Sequence, residues 1–186
     1  MNTEDAHLIE ACCNQDREAL HALYERFAPQ MYGLLLRFAP SRAAAEDLLH
    51  DGFIKVFQNI KNLRNYNSLA GWIRSVMVHT AISAYRSEQQ TSPVEEIDDN
   101  MSEVQMSADS MLENVDLDII LDAIRQLPSR YRLTFNLCEI EGYSSKEAAD
   151  LLGINTVTVR SNLYRAKQIL KHTLAPYFPQ YNQNNK

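Results

Sequence analysis

Apolar positions in the first ninety residues recur at steps of three and four, the spacing of helices that bury one face. The pattern is clearest between Ser41 and Ile60. Ser41 is placed to cap a helix, and Ala45, Leu48, Leu49, Gly52, Phe53, Val56, Phe57 and Ile60 make one continuous apolar face behind it. The opposite face holds Glu46, Asp47, His50, Asp51, Ile54, Lys55 and Gln58, where Ile54 among charges hints at a partner. After a polar loop, Lys61–Ser68, a second strong helix is predicted to bury Trp72, Ile73, Val76, Met77, Thr80, Ala81 and Ala84. Ser75, His79, Ser83 and Arg86 run along its flank, with Trp72 on the border. Earlier helices at about 4–13, 17–27 and 30–38 supply the rest of that core.

The pattern lapses over residues 91–116 and resumes at Leu117, Ile120, Ala123, Ile124 and Leu127, where Pro128 stops it. Ser129 restarts a helix through Leu133, Leu137 and Ile140, closed by Gly142. Ser144 with Glu147 three residues on has the form of a capping box for the next helix, which carries Ala148, Ala149, Leu151 and Leu152. Gly153 ends that helix, and Asn155 caps a last one from Thr156 to about Thr173. A short helix, a turn containing Gly153 and a second helix entered through Asn155 make a helix-turn-helix. The expected fold is therefore all-α: two small helical domains, 1–90 and 117–175, joined by a flexible linker at 91–116 and followed by a tail at 176–186.

Charge sharpens this division. The chain of 186 residues has a net charge of −6, unevenly spread. Residues 91–118 contain 9 acidic side chains and no Lys or Arg, whereas residues 119–186 carry 9 Lys/Arg against 5 Asp/Glu. An acidic, weakly apolar stretch cannot offset its ordering entropy by burial, so it reads as a linker. No acidic side chain follows Asp150, so any electrostatic footprint for nucleic acid belongs at the C-terminal end.

Other chemistry is sparse. No run of about 18 apolar residues predicts a membrane span. The acidic start, MNTEDAHLIE, has no signal-peptide character, which predicts a cytoplasmic protein without membrane insertion. Cys12, Cys13 and Cys138 are odd in number, consistent with reduced thiols, and His7 with Cys12 and Cys13 lacks the paired spacing of a zinc site. The five histidines are scattered, and no phosphate loop or nucleophile–base pair is visible. No catalytic residue, metal or cofactor is expected.

The last helix carries the sharpest signal. Val159, Leu163, Ala166, Leu170 and Leu174 face inward, while Thr156, Arg160, Tyr164, Lys167 and Lys171 form an outward row beside Thr158, Ser161 and Arg165. In a helix-turn-helix the first turns of the second helix enter the major groove. Arg160 can reach guanine O6 and N7 with its two-pronged donor, and the basic residues farther on suit phosphates.

The stretch LPSRYRLTFNLCEIEGYSSKEAADLLGINTVTVRSNLYRAKQIL resembles region 4 of the extracytoplasmic-function sigma factors, with Thr158, Val159, Arg160, Ser161, Leu163, Arg165 and Ala166 as its core. AAAEDLLHDGFIKVFQNI resembles their region 2.2, and LAGWIRSVMVHTAISAYR the region just after it. The resemblance implies a factor that binds core RNA polymerase, opens a −10 promoter element with region 2 and reads a −35 element with region 4. It implies Asp47, His50, Asp51, Phe53 and Lys55 as polymerase contacts or their supports, Phe53 also fitting the apolar face. It implies Asn65, Tyr66, Asn67, Trp72 and His79 at the −10 element. At the −35 element, Thr156, Thr158, Arg160 and Ser161 would face the bases, entered through Asn155, with Tyr164, Arg165 and Lys167 on the backbone. The linker would pass near the RNA exit path, and an anti-sigma factor is the expected regulator. The chain departs from the family in having His50-Asp51 where Gln-Glu is common, and His79 where many members have Asn. A free-standing regulator with a sensing N-terminal domain, or a helical adaptor, would share the helix-turn-helix but not the region 2.2 likeness.

Overall fold

The computed structural model describes residues 3–63, 69–91 and 115–178, and among these every regular element is helical. They fall into two compact units that divide between Ala84 and Tyr85.

In the first unit α1 spans Thr3–Cys13, α2 Arg17–Phe38, α3 Arg42–Asn59 and α4 Leu69–Thr91, the last running past the division. The expected break between two helices near residue 28 is absent, and α2 continues through Pro29. A mid-helix proline costs about 3 kcal/mol. Here Leu23, Phe27, Met31, Leu34, Leu35 and Phe38 are all buried along one face of α2. Each large apolar side chain contributes about 1.5–3 kcal/mol, so burial outweighs the ring. Asp16 caps α2 by accepting from Glu18 N and Ala19 N, and Ser41 caps α3 by accepting from Ala44 N at 3.1 Å.

The inner face of α3 is the predicted one. Ala45, Leu49, Gly52, Phe53, Val56 and Ile60 are buried, with Leu48 and Phe57 half-buried. Gly52 gives room to α4, because a Cβ there would collide with Met77 Sδ unless that side chain shifted. A 3₁₀ turn, Ile60–Asn62, ends the described part of the loop before α4. α4 buries more than one stripe. Val78 and Ile82 are as enclosed as the expected Ile73, Met77, Thr80 and Ala81, which a single-face reading misses.

In the second unit α5 spans Val115–Gln126, α6 Ser129–Phe135, α7 Ser145–Leu152 and α8 Thr156–Leu174. Ala123, Ile124, Leu127, Tyr131, Ala166 and Leu170 make a core between α5, α6 and α8. α6 widens into a π turn, Asn136–Ile140, before Gly142 reverses the chain at φ +78°. Ile140 and Leu117, expected on apolar faces, are exposed.

The three cysteines are free thiols. Burial first, then Cys13 and Asp16, push Cys12 up to about 11, and burial also raises Cys138. Both therefore stay protonated and unreactive near neutrality. No three His, Cys, Asp or Glu side chains converge as a metal site among the described residues, and no described helix is long and apolar enough to cross a membrane.

Candidate nucleic-acid interface

The α7–α8 pair is built by local chemistry. Ser144 Oγ accepts from Glu147 N at 3.2 Å, and the Glu147 carboxylate accepts from Ser144 N at 2.8 Å, closing the capping box. The Ser144 hydroxyl, donating to that carboxylate at 2.7 Å, and then the Ser144 N–H hold the Glu147 carboxyl below its ordinary pKa. Gly153 sits at φ +70°, where a side chain would strain the backbone, and its N–H and that of Ile154 satisfy Ala149 O. Asn155 Oδ1 then accepts from Thr158 N at 2.7 Å and starts α8. Ala148 and Ala149 are buried, so the helices cross closely with Leu152 and Val159 filling the junction. Ile154, next to Gly153 in the turn, stays exposed.

α8 presents the predicted surface. Arg160, Ser161, Tyr164, Arg165, Lys167 and Lys171 are exposed, and Thr156 is half-buried. Two of the expected contacts are partly committed within the unit. Thr158 Oγ1 donates to Asn155 Oδ1 at 3.0 Å, so its hydroxyl reinforces the cap. Lys167 Nζ lies 2.9 Å from the carboxylate of Glu139, in the π turn that ends α6.

A second surface lies on the first unit. Lys55, Asn59, Asn62, Trp72, Ser75, Val76, His79, Thr80 and Ser83 line an open groove of about 500 Å³ between α3 and α4. It brings together the expected Trp72, half-buried, and His79, exposed. It also takes in Lys55, which donates from Nζ to Thr80 Oγ1 at 3.2 Å. Lys55 therefore turns away from the α3 face on which it was expected to meet the polymerase. Asn59 and Asn62 were missed, although 55 and 59 share a face by their spacing of four. Asn59 Nδ2 donates to Lys55 O at 2.8 Å. An aromatic ring, amides, hydroxyls and one cation in an open trough suit an unpaired nucleotide, stacked on the ring and hydrogen-bonded at its edge. Asn65, Tyr66 and Asn67 lie outside the described residues.

The outer face of α3 is a third surface. Asp47, His50, Asp51 and Ile54 are exposed on it at helical spacing, Ile54 at 41%. Phe53 is not on it. Its ring is 2% exposed and packs 4.7 Å from Tyr24 and 5.8 Å from Phe57, so it supports the face from within.

Comparison with known proteins is consistent along the chain. Residues 23–91 match the family model "Sigma-70 region 2", and residues 117–170 match "Sigma-70, region 4". The chain is 26% identical over 182 residues to the ECF RNA polymerase sigma-E factor of Haemophilus influenzae, covering 92% of this chain and 96% of that protein. It is 24% identical to the RNA polymerase sigma-H factor of Pseudomonas aeruginosa, covering 93% and 95%. Among solved structures, the sigma factor RpoE of Bartonella quintana, crystallised with the anti-sigma factor NepR, has a similar fold. Its TM-score is 0.54 at 19% identity, covering 83% of this chain and 95% of that one.

Proposed function

The chain belongs to the sigma-70 family of transcription initiation factors, with its two family regions in order over residues 23–91 and 117–170, and on that premise we propose how its surfaces divide the work of promoter recognition. As a sigma factor of the extracytoplasmic-function class it directs RNA polymerase to specific promoters. The outer face of α3, with Asp47, His50, Asp51 and Ile54, docks on core polymerase. The groove of Lys55, Trp72 and His79 receives an unpaired base of the −10 element, and Asn65, Tyr66 and Asn67 serve the same element. α8 enters the major groove of the −35 element, Arg160 and Ser161 facing bases and Tyr164 and Arg165 the backbone. Lys167 reaches phosphate by exchanging Glu139 for it. The protein itself is not a catalyst. RNA synthesis belongs to the polymerase, and the factor works in the cytoplasm. The acidic segment 91–116 joins the two domains near the RNA exit path, and an anti-sigma factor that masks both domains is the expected regulator.

The observation that carries this reading is the coexistence, in one chain, of a helix-turn-helix with an exposed basic recognition helix and a separate aromatic, amide-lined groove. Duplex reading and single-strand capture call for these two different surfaces. A net charge of −6 fits a factor delivered to DNA by a larger partner better than one that binds alone through phosphate neutralisation.

Ile54→Asp tests the docking face. Ile54 is already exposed, so the fold should survive, while affinity for core polymerase in a fluorescence titration is expected to fall about tenfold or more. Unchanged affinity would remove α3 from the interface. Lys167→Gln tests the phosphate contact. Losing one phosphate partner should flatten the salt dependence of promoter binding by about one in log K against log salt. An unaltered slope would mean that Lys167 meets no phosphate.

A further inference from the structure

One side chain at the entry of α8 is explained by neither capping nor packing. Val157, the second residue of the helix, is 71% exposed, the highest value among the exposed large apolar side chains of the described residues. A β-branched residue gains nothing there for the helix, since valine is a weaker helix former than alanine at a solvated position. Its place is specific. It lies three, four and seven residues before Arg160, Ser161 and Tyr164, all exposed, so the four share one face.

The neighbouring hydroxyls leave that face to the isopropyl group. Thr158 Oγ1 is bonded to Asn155 Oδ1, and Thr156 is half-buried. The first turn of α8 therefore presents hydrocarbon where short hydroxyl readers were expected. In the major groove, the apolar feature that tells one base pair from another is the C5-methyl of thymine. Packing against it removes apolar surface of both partners from water.

Resting on the reading of α8 as the −35 helix, we propose that Val157 is a specificity residue that packs against the C5-methyl of a thymine close to the guanine read by Arg160. The two side chains are three residues apart, about 4.5 Å along the helix axis. Successive base pairs are about 3.4 Å apart. The thymine is therefore one or two base pairs from that guanine.

The test uses holoenzyme assembled from the full chain and core polymerase, which first selects its −35 element from a randomised duplex. Each thymine of that element is then replaced singly by deoxyuridine, which lacks only the methyl group. One replacement is expected to weaken wild-type binding about fourfold, the worth of one methyl group taken out of water. Holoenzyme carrying Val157→Ala should bind thymine and deoxyuridine equally at that position. An element without a thymine there, indifference of the wild type to every replacement, or the same penalty in Val157→Ala would each overturn the proposal. Arg160→Ala is measured alongside. If it selects the wild-type element, the −35 reading of α8 itself fails. If it relaxes the element while deoxyuridine stays silent, only the role of Val157 fails.

Discussion

Replacing Arg132 with methionine is expected to destabilise the second unit by about 3 kcal/mol, because the guanidinium does the work of a helix cap. α5 ends against Pro128, which has no N–H to offer, and the last carbonyls of a helix need partners. Arg132, only 4% exposed, supplies them: Nη1 donates to Arg125 O at 2.8 Å and to Leu127 O at 2.9 Å, while Nη2 donates to Ser129 Oγ at 3.2 Å. Burial draws its pKa below that of a free guanidinium, a cost these bonds offset. Methionine keeps the apolar stem but leaves the carbonyls without those donors. Lysine should rescue little, since a single ammonium cannot reproduce the planar fork. Hydrogen exchange at the α5 and α6 amides, with urea unfolding of the whole chain, measures the effect. A loss below about 1 kcal/mol would show that water replaces the guanidinium at no great cost.

The second large effect concerns function alone. Arg160→Ala should weaken promoter binding by the holoenzyme by about 1–3 kcal/mol, roughly five- to 150-fold, and flatten preference at one base pair. Arg160 is exposed on the second turn of α8, so its removal should leave stability nearly unchanged. Arg160→Lys separates charge from shape. It should keep most non-specific affinity and still lose discrimination, because only the guanidinium reads guanine with two parallel bonds. Binding to a panel of single-base variants of the promoter decides the matter. Uniform weakening across the panel would make Arg160 a phosphate contact.

What the sequence made legible was mostly what is local. Ser41, Ser144 with Glu147, Gly153 and Asn155 act within three or four residues of themselves, so their spacing alone foretold the caps and the turn. Contacts between distant segments were hidden. Pro29 suggested a break because its cost is local, whereas the burial that overrides it comes from the packing of α2 on α1 and α3. Arg132 stood in a polar-looking stretch, LPSRYR, with nothing in the pattern to mark it as buried. The pairing of Lys167 with Glu139 joins residues 28 apart, and only the fold brings them together. At the candidate sites, the flank of α4 already placed Trp72 and His79 together, but not Lys55, which was read with the outer face of α3 and lines the same groove. A helical wheel places it at the border of the solvated face, and the turn of α4 against α3 decides which way it reaches.

As a sigma factor, this chain makes core polymerase start at promoters of its own choosing. In vitro transcription with a bacterial core polymerase on a genomic fragment library, with and without the protein, tests it most directly. Discrete start sites that appear only with the protein, and that share −35 and −10 elements at a fixed spacing, are the expected result. A core that initiates with another sigma factor, yet gains no start site from this chain, would contradict it.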